Sequence, residues 1–337
     1  MLNDTDRHSE FGSVHMSNKN GRCHGFKPRK RLLLSLGLFV LLAYCACTQG
    51  RIWRTSTLMY FDTVCQIRLY CSKSEFTEAQ ATIDKVFSDI ERLFSPDSET
   101  YDSPLVLDLY QKALEVHHLS EGFFDISIAP LSRLWGFTDK TYKVPSTEEI
   151  LAALKIVGLD KIQVKNGRLI LPKGSKIDWG GIAKGFGVDL ASAELIKKGV
   201  SRGFINAGGD LFCWGKNPEG LLWQIGIKDP REEGFLGVME ISDYGAATTG
   251  DYQRFFVEAG TRYHHVFNPK TGYPARGRQS VTVVGPRTIL CDALSTALFI
   301  HHNPEEILSN YPEYGAVLVD SQGIITEAGK KLSVRFH

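Results

Sequence analysis

Apolar residues return at helical spacing through Phe76, Ala79, Ile83, Val86, Phe87, Ile90 and Phe94, a stripe that predicts a helix with Thr77 and Gln80 as its capping pair. Pro96, within Phe94–Thr100, ends it. Leu105–Val116 predicts a second helix, and Ser146–Val157 a third that opens on the capping pair Ser146 and Glu149. Thr288–Ile300 and Pro304–Tyr311 predict late helices. Elsewhere the period falls to two. Leu58–Tyr70 reads as a strand following a tether over 48–57, and Lys161–Val164 and Arg168–Leu171 flank Asn166-Gly167, a strong hairpin signal. Strand-like runs follow at Gly203–Ile205, Leu211–Trp214, Leu222–Ile227, Gly237–Ile241, Tyr252–Glu258 and Arg262–Phe267, the last two joined by Ala259-Gly260-Thr261. Hairpins outnumber βαβ units, so the pattern predicts an α+β fold rather than a doubly wound parallel sheet. With no repeat or clean linker in view, 58–337 reads as a single domain.

The first 47 residues form a different object. Arg22, Lys27, Arg29, Lys30 and Arg31 precede an apolar run from Leu32 to Ala46, the order of a secretory signal. The run is short for a membrane span, which needs about 20 residues. Cys47, after Ala46, stands where a lipoprotein signal carries its acylated cysteine. An uncleaved anchor and a soluble secreted form are the alternatives, and Met16 is a second candidate start.

Composition narrows the function. Of 337 residues, 43% are hydrophobic and 23% charged, as in ordinary globular chains. Lys+Arg is 39 against 38 Asp+Glu, and residues 1–50 hold seven of those cations against three acids. The body therefore has no basic field for nucleic acid, and no such partner is expected. Four cysteines fall in the body, too few for a disulfide scaffold and without a CxxC pair for zinc.

Chemistry gathers at glycine-rich joints. In Lys176–Asp189 a short strand ends at Asp178, Gly180 and Gly181 turn the chain, and Lys184 enters a helix. Bare glycines, helix-start N–H groups and a lysine suit a phosphate, although Walker A and GxGxxG spacings are absent. The plain alternative is a strand-to-helix turn with an exposed lysine. Phe204–Leu211 ends a strand in Asn206, Gly208, Gly209 and Asp210, as either a ligand-side turn or a tight hairpin. Asp292, Ser295 and Thr296 share one face of a predicted helix, and their hard oxygens suit Mg²⁺, unless Asp292 caps the helix and the hydroxyls bond back to its preceding turn. His264 and His265 point to opposite faces of their strand, so at most one can serve a given site.

Taken together, Gly122–Trp135 with Gly136-Phe137, then Asp178–Gly185, Asn206–Asp210, Ala247–Tyr252, His264–Gly272 and Asp292–Ala297 are successive blocks, spanning about Leu58 to Phe299. In this order they resemble the ApbE family of FAD:protein FMN transferases. The resemblance implies a T-fold-related α+β domain with mixed or antiparallel sheets and an FAD cleft. It implies an exported, often lipid-anchored enzyme at the periplasmic face of the bacterial inner membrane. FAD would be its substrate and Mg²⁺ its metal, with FMN transferred to a Thr or Ser hydroxyl of an acceptor flavoprotein of a membrane redox complex, releasing AMP.

By the same resemblance, Asp178, Lys184, Phe123, Phe124 and Asp125 match FAD-contacting positions, and Asn206, Gly208, Gly209, Asp210, Thr249 and Val266 fall in cofactor-lining blocks. Gly181 would offer a carbonyl to the metal beside Asp292, Ser295 and Thr296, and His265 would activate the acceptor hydroxyl. The chain departs from the family at Phe61-Asp62-Thr63, where Met-Gly-Thr is common and Phe61 takes the flavin contact. It departs again at Ser95–Glu99, a shortened segment that leaves no flavin-stacking aromatic identified, and at Asn268, where Asp is commoner. An FAD pyrophosphatase and a non-catalytic flavin-binding lipoprotein are the alternatives.

Overall fold

β1 (Ile52–Tyr60) and β2 (Thr63–Cys71) open the computed structural model, which describes residues 50–337, as an antiparallel hairpin. This corrects two expectations: residues 52–57 of the stretch read as a tether belong to an edge strand, and the single strand over Leu58–Tyr70 is broken by a two-residue turn. The turn is Phe61-Asp62, with φ of 57° and 54°, the left-handed geometry that hairpins ordinarily give to Asn-Gly. Tertiary contacts hold it instead. Glu91 Oε1 accepts from Phe61 N at 2.6 Å, and the Phe61 ring packs edge-on against Phe87. The export segment read from Arg22 to Cys47 lies outside the described residues.

α1 (Lys73–Phe94) begins one turn earlier than predicted. Ser72 Oγ accepts from Glu75 N and Glu75 Oε2 from Ser72 N, a capping box, while Thr77 Oγ1 bonds back to the Lys73 carbonyl. The apolar stripe behaves as read, burying Ala79, Ile83, Phe87 and Ile90. Next come α2 (Pro104–Leu119), α3 (Ala129–Leu134) and α4 (Thr147–Leu154), the last capped by Ser146 and Glu149 as expected. β3 (Gln163–Lys165) and β4 (Arg168–Ile170) pair across the expected Asn166-Gly167 turn.

The rest of the chain builds the centre. It runs through α5 (Ala183–Lys197), β5 (Gly203–Ala207), β6 (Asp210–Trp214), β7 (Trp223–Lys228), β8 (Phe235–Ile241), β9 (Tyr244–Gly250), β10 (Phe255–Glu258), β11 (Thr261–His264) and β12 (Arg278–Gly285). α6 (Thr288–Ile300), α7 (Pro304–Leu308), β13 (Gly315–Asp320), β14 (Ile325–Gly329) and β15 (Val334–Phe336) complete it. An eight-stranded sheet has the order β1-β2-β5-β6-β9-β12-β13-β14, every pair antiparallel, as the α+β reading requires. The pairs β10-β11 and β3-β4 and a small sheet β15-β8-β7 flank it.

α6 packs on β9 and β12 and against α5, an arrangement that positions the candidate site. Close approach explains why β9 is poor in large side chains. A Cβ on Gly245 would stand 2.5 Å from Thr288 Oγ1. At the α5–α6 crossing, a Cβ on Gly185 would stand 2.6 Å from the Thr288 carbonyl oxygen and 2.9 Å from Asp292 Cβ. The main core, including Phe124, Ile182, Phe186, Val281, Leu294 and Leu298, lies around these helices. Among the described residues no helix is long and apolar enough to cross a membrane.

Candidate active site

Two helices and two glycine turns converge on one polar corner. α5 begins just after the Gly180-Gly181 bend and presents Lys184, whose Nζ lies 2.6 Å from Asp210 Oδ2 and 3.9 Å from Asp292 Oδ2. Asp292 Oδ2 accepts from Gly185 N at 3.1 Å, a bond available only because Gly185 lets the helices touch backbone to side chain. Gly181 arrives from the other side. A Cβ there would lie 3.2 Å from Thr296 Oγ1 and 3.4 Å from Phe124 Cε2, so the bend and the late helix are in close contact.

Hydroxyls link this corner to the sheet. Ser295 Oγ donates to the Asp292 carbonyl at 2.8 Å, Thr249 Oγ1 lies 2.7 Å from Ser295 Oγ, and Thr296 Oγ1 lies 3.1 Å from Thr249 Oγ1. With Ser295's proton committed to a carbonyl, a consistent chain runs from Thr296 to Thr249 to Ser295. Ser295 is 1% exposed and braces the helix from within, whereas Thr296 and Gly181 are half-buried.

The electrostatics follow from burial. Burial pushes the Asp292 carboxyl up, the Asp210 carboxylate pushes it further, and Lys184 opposes both. Burial alone would lower the Lys184 ammonium, but Asp210 and Asp292 outweigh it and hold Lys184 above the usual lysine range. Asp210 Oδ2 is buried, and Lys184 is the cation that meets its charge. The buried Asp210 and Asp292 carboxyls, the Thr296 hydroxyl and the Gly181 bend offer oxygen donors alone, which fit a hard divalent ion better than zinc or copper.

The two histidines divide as their alternation predicted. His264 is buried, its Nε2 2.8 Å from the Ala275 carbonyl and its Nδ1 accepting from Val266 N, so it is neutral and structural. Burial pushes it down to about 4. His265 is half-buried; both its backbone N–H and Nδ1 bond the Arg254 carbonyl, each at 3.2 Å. A carbonyl partner requires the proton on Nδ1, which leaves Nε2 with a free lone pair. Burial, then the charges of Arg254, His264 and Lys184, keep His265 well below the usual histidine range, so it is a neutral base at physiological pH.

The remaining expected residues are placed unevenly. Asp178 accepts from Gly180 N at 2.9 Å and from Ser132 Oγ at 3.0 Å, shaping the glycine bend while remaining half-buried. Asn206 Oδ1 accepts from Gly209 N, and Gly208, at φ +64°, presses on Thr63, so both build the β5–β6 turn that carries Asp210. Phe61 reaches α5 one turn beyond Lys184, its Cζ 3.4 Å from where a Cβ on Gly187 would be. Phe123 packs edge-on against His301 with Lys270 Nζ 3.8 Å from its ring centre. Two residues turn inward. Asp125 accepts from Ser127 N, Ser127 Oγ and Leu159 N, and Val266 is buried with its carbonyl bonded to Ala275 N and its amide to His264. Their polar groups are spent on bonds within the fold.

Arg254 and Ser132 escaped the sequence reading. Arg254 is exposed on the approach to β10 and acts through a carbonyl, which no side-chain pattern reveals. Ser132 was legible only as part of the Gly122–Trp135 block.

Fold and site define a class: an α+β domain in which a glycine bend and a late helix bring oxygen donors and a lysine to one corner, with a neutral histidine nearby. The ApbE family profile matches residues 61–317, and the chain belongs to the ApbE family. It is 34% identical over 201 residues to the FAD:protein FMN transferase of Haemophilus influenzae, spanning 56% of this chain and 58% of that protein. The Vibrio cholerae protein of that name is 33% identical over 205 residues, 59% of this chain and 61% of its own length. In both cases less than two thirds of the relative is spanned. The Treponema pallidum protein of that name is 27% identical over 300 residues, 77% of this chain and 83% of that protein. Among solved structures, the ApbE protein of Thermotoga maritima superposes with a TM-score of 0.76 at 30% identity, covering 82% of this chain and 97% of that one.

Proposed function

We propose that this chain transfers FMN from FAD to a Ser or Thr hydroxyl of an acceptor flavoprotein and releases AMP, in a Mg²⁺-dependent reaction. The observation that carries the reading is the meeting of Gly181, Lys184, Asp292 and Thr296 at one corner, with His265 close enough to feel the Lys184 charge. Asp292, Thr296 and the Gly181 carbonyl would hold the Mg²⁺, with Thr249 and Ser295 fixing the helix hydroxyls and Asp210 completing the negative wall. Bound there, the ion would neutralise charge that spreads over the diphosphate as its bond breaks.

The chain's own residues supply the rest. Lys184 brings a permanent positive charge to the diphosphate. His265 Nε2 takes the proton of the acceptor hydroxyl as its oxygen attacks the FMN-side phosphorus, and AMP leaves as the anhydride bond breaks. The Arg254 carbonyl keeps the histidine in the tautomer this step needs.

The reading is tested by incubating the full chain with FAD and Mg²⁺, with and without a flavoprotein acceptor, and following protein-bound flavin by fluorescence in a denaturing gel. Labelled acceptor supports transfer; free FMN without label makes the protein a pyrophosphatase; FAD bound unchanged makes it a carrier. We also propose export and lipid anchoring at Cys47 on the extracytoplasmic face, supported by the basic-then-apolar order of Arg22–Ala46. Mass analysis of the native N-terminus tests it: a diacylated Cys47 supports the anchor, and an intact signal overturns it.

A further inference from the structure

We propose that Glu121, His301 and Glu306 form a second cation site, for a zinc-class divalent metal, separate from the oxygen corner and independent of the function proposed above. Glu121, in the turn after α2, is far along the chain from the other two: His301 at the C-terminal cap of α6 and Glu306 in α7. A ring nitrogen of His301 and one carboxylate oxygen from each glutamate lie within 4.8 Å of one another.

His301 makes this more than an acidic surface. Its side chain belongs to a residue only 1% exposed, clamped between the rings of Phe123 and His302 at centroid distances of 4.9 and 4.8 Å. Its Nδ1 lies 2.9 Å from the Asn303 carbonyl oxygen and 3.1 Å from Asn303 N. Nδ1 is thus engaged by the Asn303 backbone, and a metal bound at Nε2 would place the ring proton on Nδ1 toward the Asn303 carbonyl, the arrangement that orients metal-binding histidines. Among the described residues no hydrogen-bond partner reaches Nε2. Glu306 is oriented in the same way, Asn303 Nδ2 donating to its Oε2 at 3.3 Å. No lysine or arginine among the described residues forms an ion pair with either glutamate. Two carboxylates brought together without a lysine or arginine between them repel each other unless a cation joins them.

The donor chemistry sets the metal class. One imidazole and two carboxylates without a thiolate suit Zn²⁺, with water completing the shell, whereas the oxygen-only corner suits Mg²⁺. Glu121 has φ +53°, the left-handed region where non-glycine residues are uncommon, and metal ligation would lock that turn. A bound ion would fasten the turn leading to Phe123 and Phe124 onto the end of the helix that carries Asp292 and Thr296.

Glu121 and Glu306 are exposed, so their glutamine variants alter charge without touching the core. The full chain, kept in excess Mg²⁺, is titrated with Zn²⁺, dialysed and analysed for metal, and its zinc shell is read by X-ray absorption. The proposal expects about one zinc per chain with a nitrogen and oxygen shell including imidazole. Glu121→Gln or Glu306→Gln should each weaken retention at least ~10-fold, and the pair should abolish it, with circular dichroism unchanged. No zinc retained by the wild type, equal retention by the double variant, or sulfur in the shell would overturn it.

Discussion

Replacing Gly185 by alanine tests the packing that assembles the active site. Two terms oppose each other. Alanine is favoured over glycine within a helix by up to about 1 kcal/mol. The new methyl, however, would stand 2.6 Å from the Thr288 carbonyl oxygen and 2.9 Å from both Ile289 Cα and Asp292 Cβ. Two of these neighbours are backbone atoms of α6, so relief requires the helices to part, and overpacking of this kind costs about 1–3 kcal/mol. The net expectation is a loss of up to ~2 kcal/mol, and a longer Gly185 N to Asp292 contact that lowers flavin transfer beyond the stability effect. Gly187, two residues along, supplies the control. Its added methyl meets Phe61 Cζ at 3.4 Å and Ile90 at 3.6 and 3.7 Å, ordinary contact distances. Gly187→Ala should therefore be neutral or stabilising by up to ~1 kcal/mol. Urea unfolding of both variants, at matched m-values, reads the two signs. Equal stabilisation of both would refute the close α5–α6 crossing.

Other consequences concern the two histidines and the hydroxyl chain. His264 is neutral in the fold at about 4 against 6.5 when free, so the unfolded chain binds the extra proton first and stability falls as pH drops through 6.5 towards 4. Between pH 7 and pH 5 this group should remove about 2 kcal/mol, and His264→Gln should flatten that part of the urea-midpoint profile. His265→Gln should reduce transfer by ~10²–10⁴-fold with FAD affinity retained. The acid limb of the wild-type rate profile should lie below 6.5, because its surroundings favour the neutral ring; a limb at or above that value would contradict the assigned environment. Thr249→Val removes the middle of the hydroxyl chain and should raise the Mg²⁺ requirement for transfer about 10–100-fold at unchanged melting temperature. An unchanged Mg²⁺ dependence would show that the chain has no bearing on the metal.

The sequence made some features plain because local chemistry decided them. The α1 stripe, the Ser146–Glu149 cap, the Asn166-Gly167 hairpin and α6 over Thr288–Ile300 each rest on spacing or turn preference, and the structure has them. Features decided by distant contacts were illegible. The Phe61-Asp62 turn is held by Glu91 and Phe87, so the strand pattern ran straight through it. β9 is Gly-, Ala- and Thr-rich because α6 lies on it, and that composition hides a central strand. β12, β13 and β14 likewise escaped the reading, although β13 is a largely apolar run. At the site, Asp292, Thr296, Gly181 and Lys184 were named from spacing and resemblance, and the helix crossing at Gly185 shows how they meet. The inward turn of Asp125 and Val266 follows from hydrogen-bond partners up to 34 residues away, which no motif displays.

The central claim is that the carboxylate on the late helix serves the reaction rather than the fold. FAD binding and flavin transfer, measured side by side for wild type and Asp292→Ala in Mg²⁺, test it most directly. The account predicts measurable FAD binding with transfer abolished in the variant, whereas transfer at the wild-type rate would contradict it.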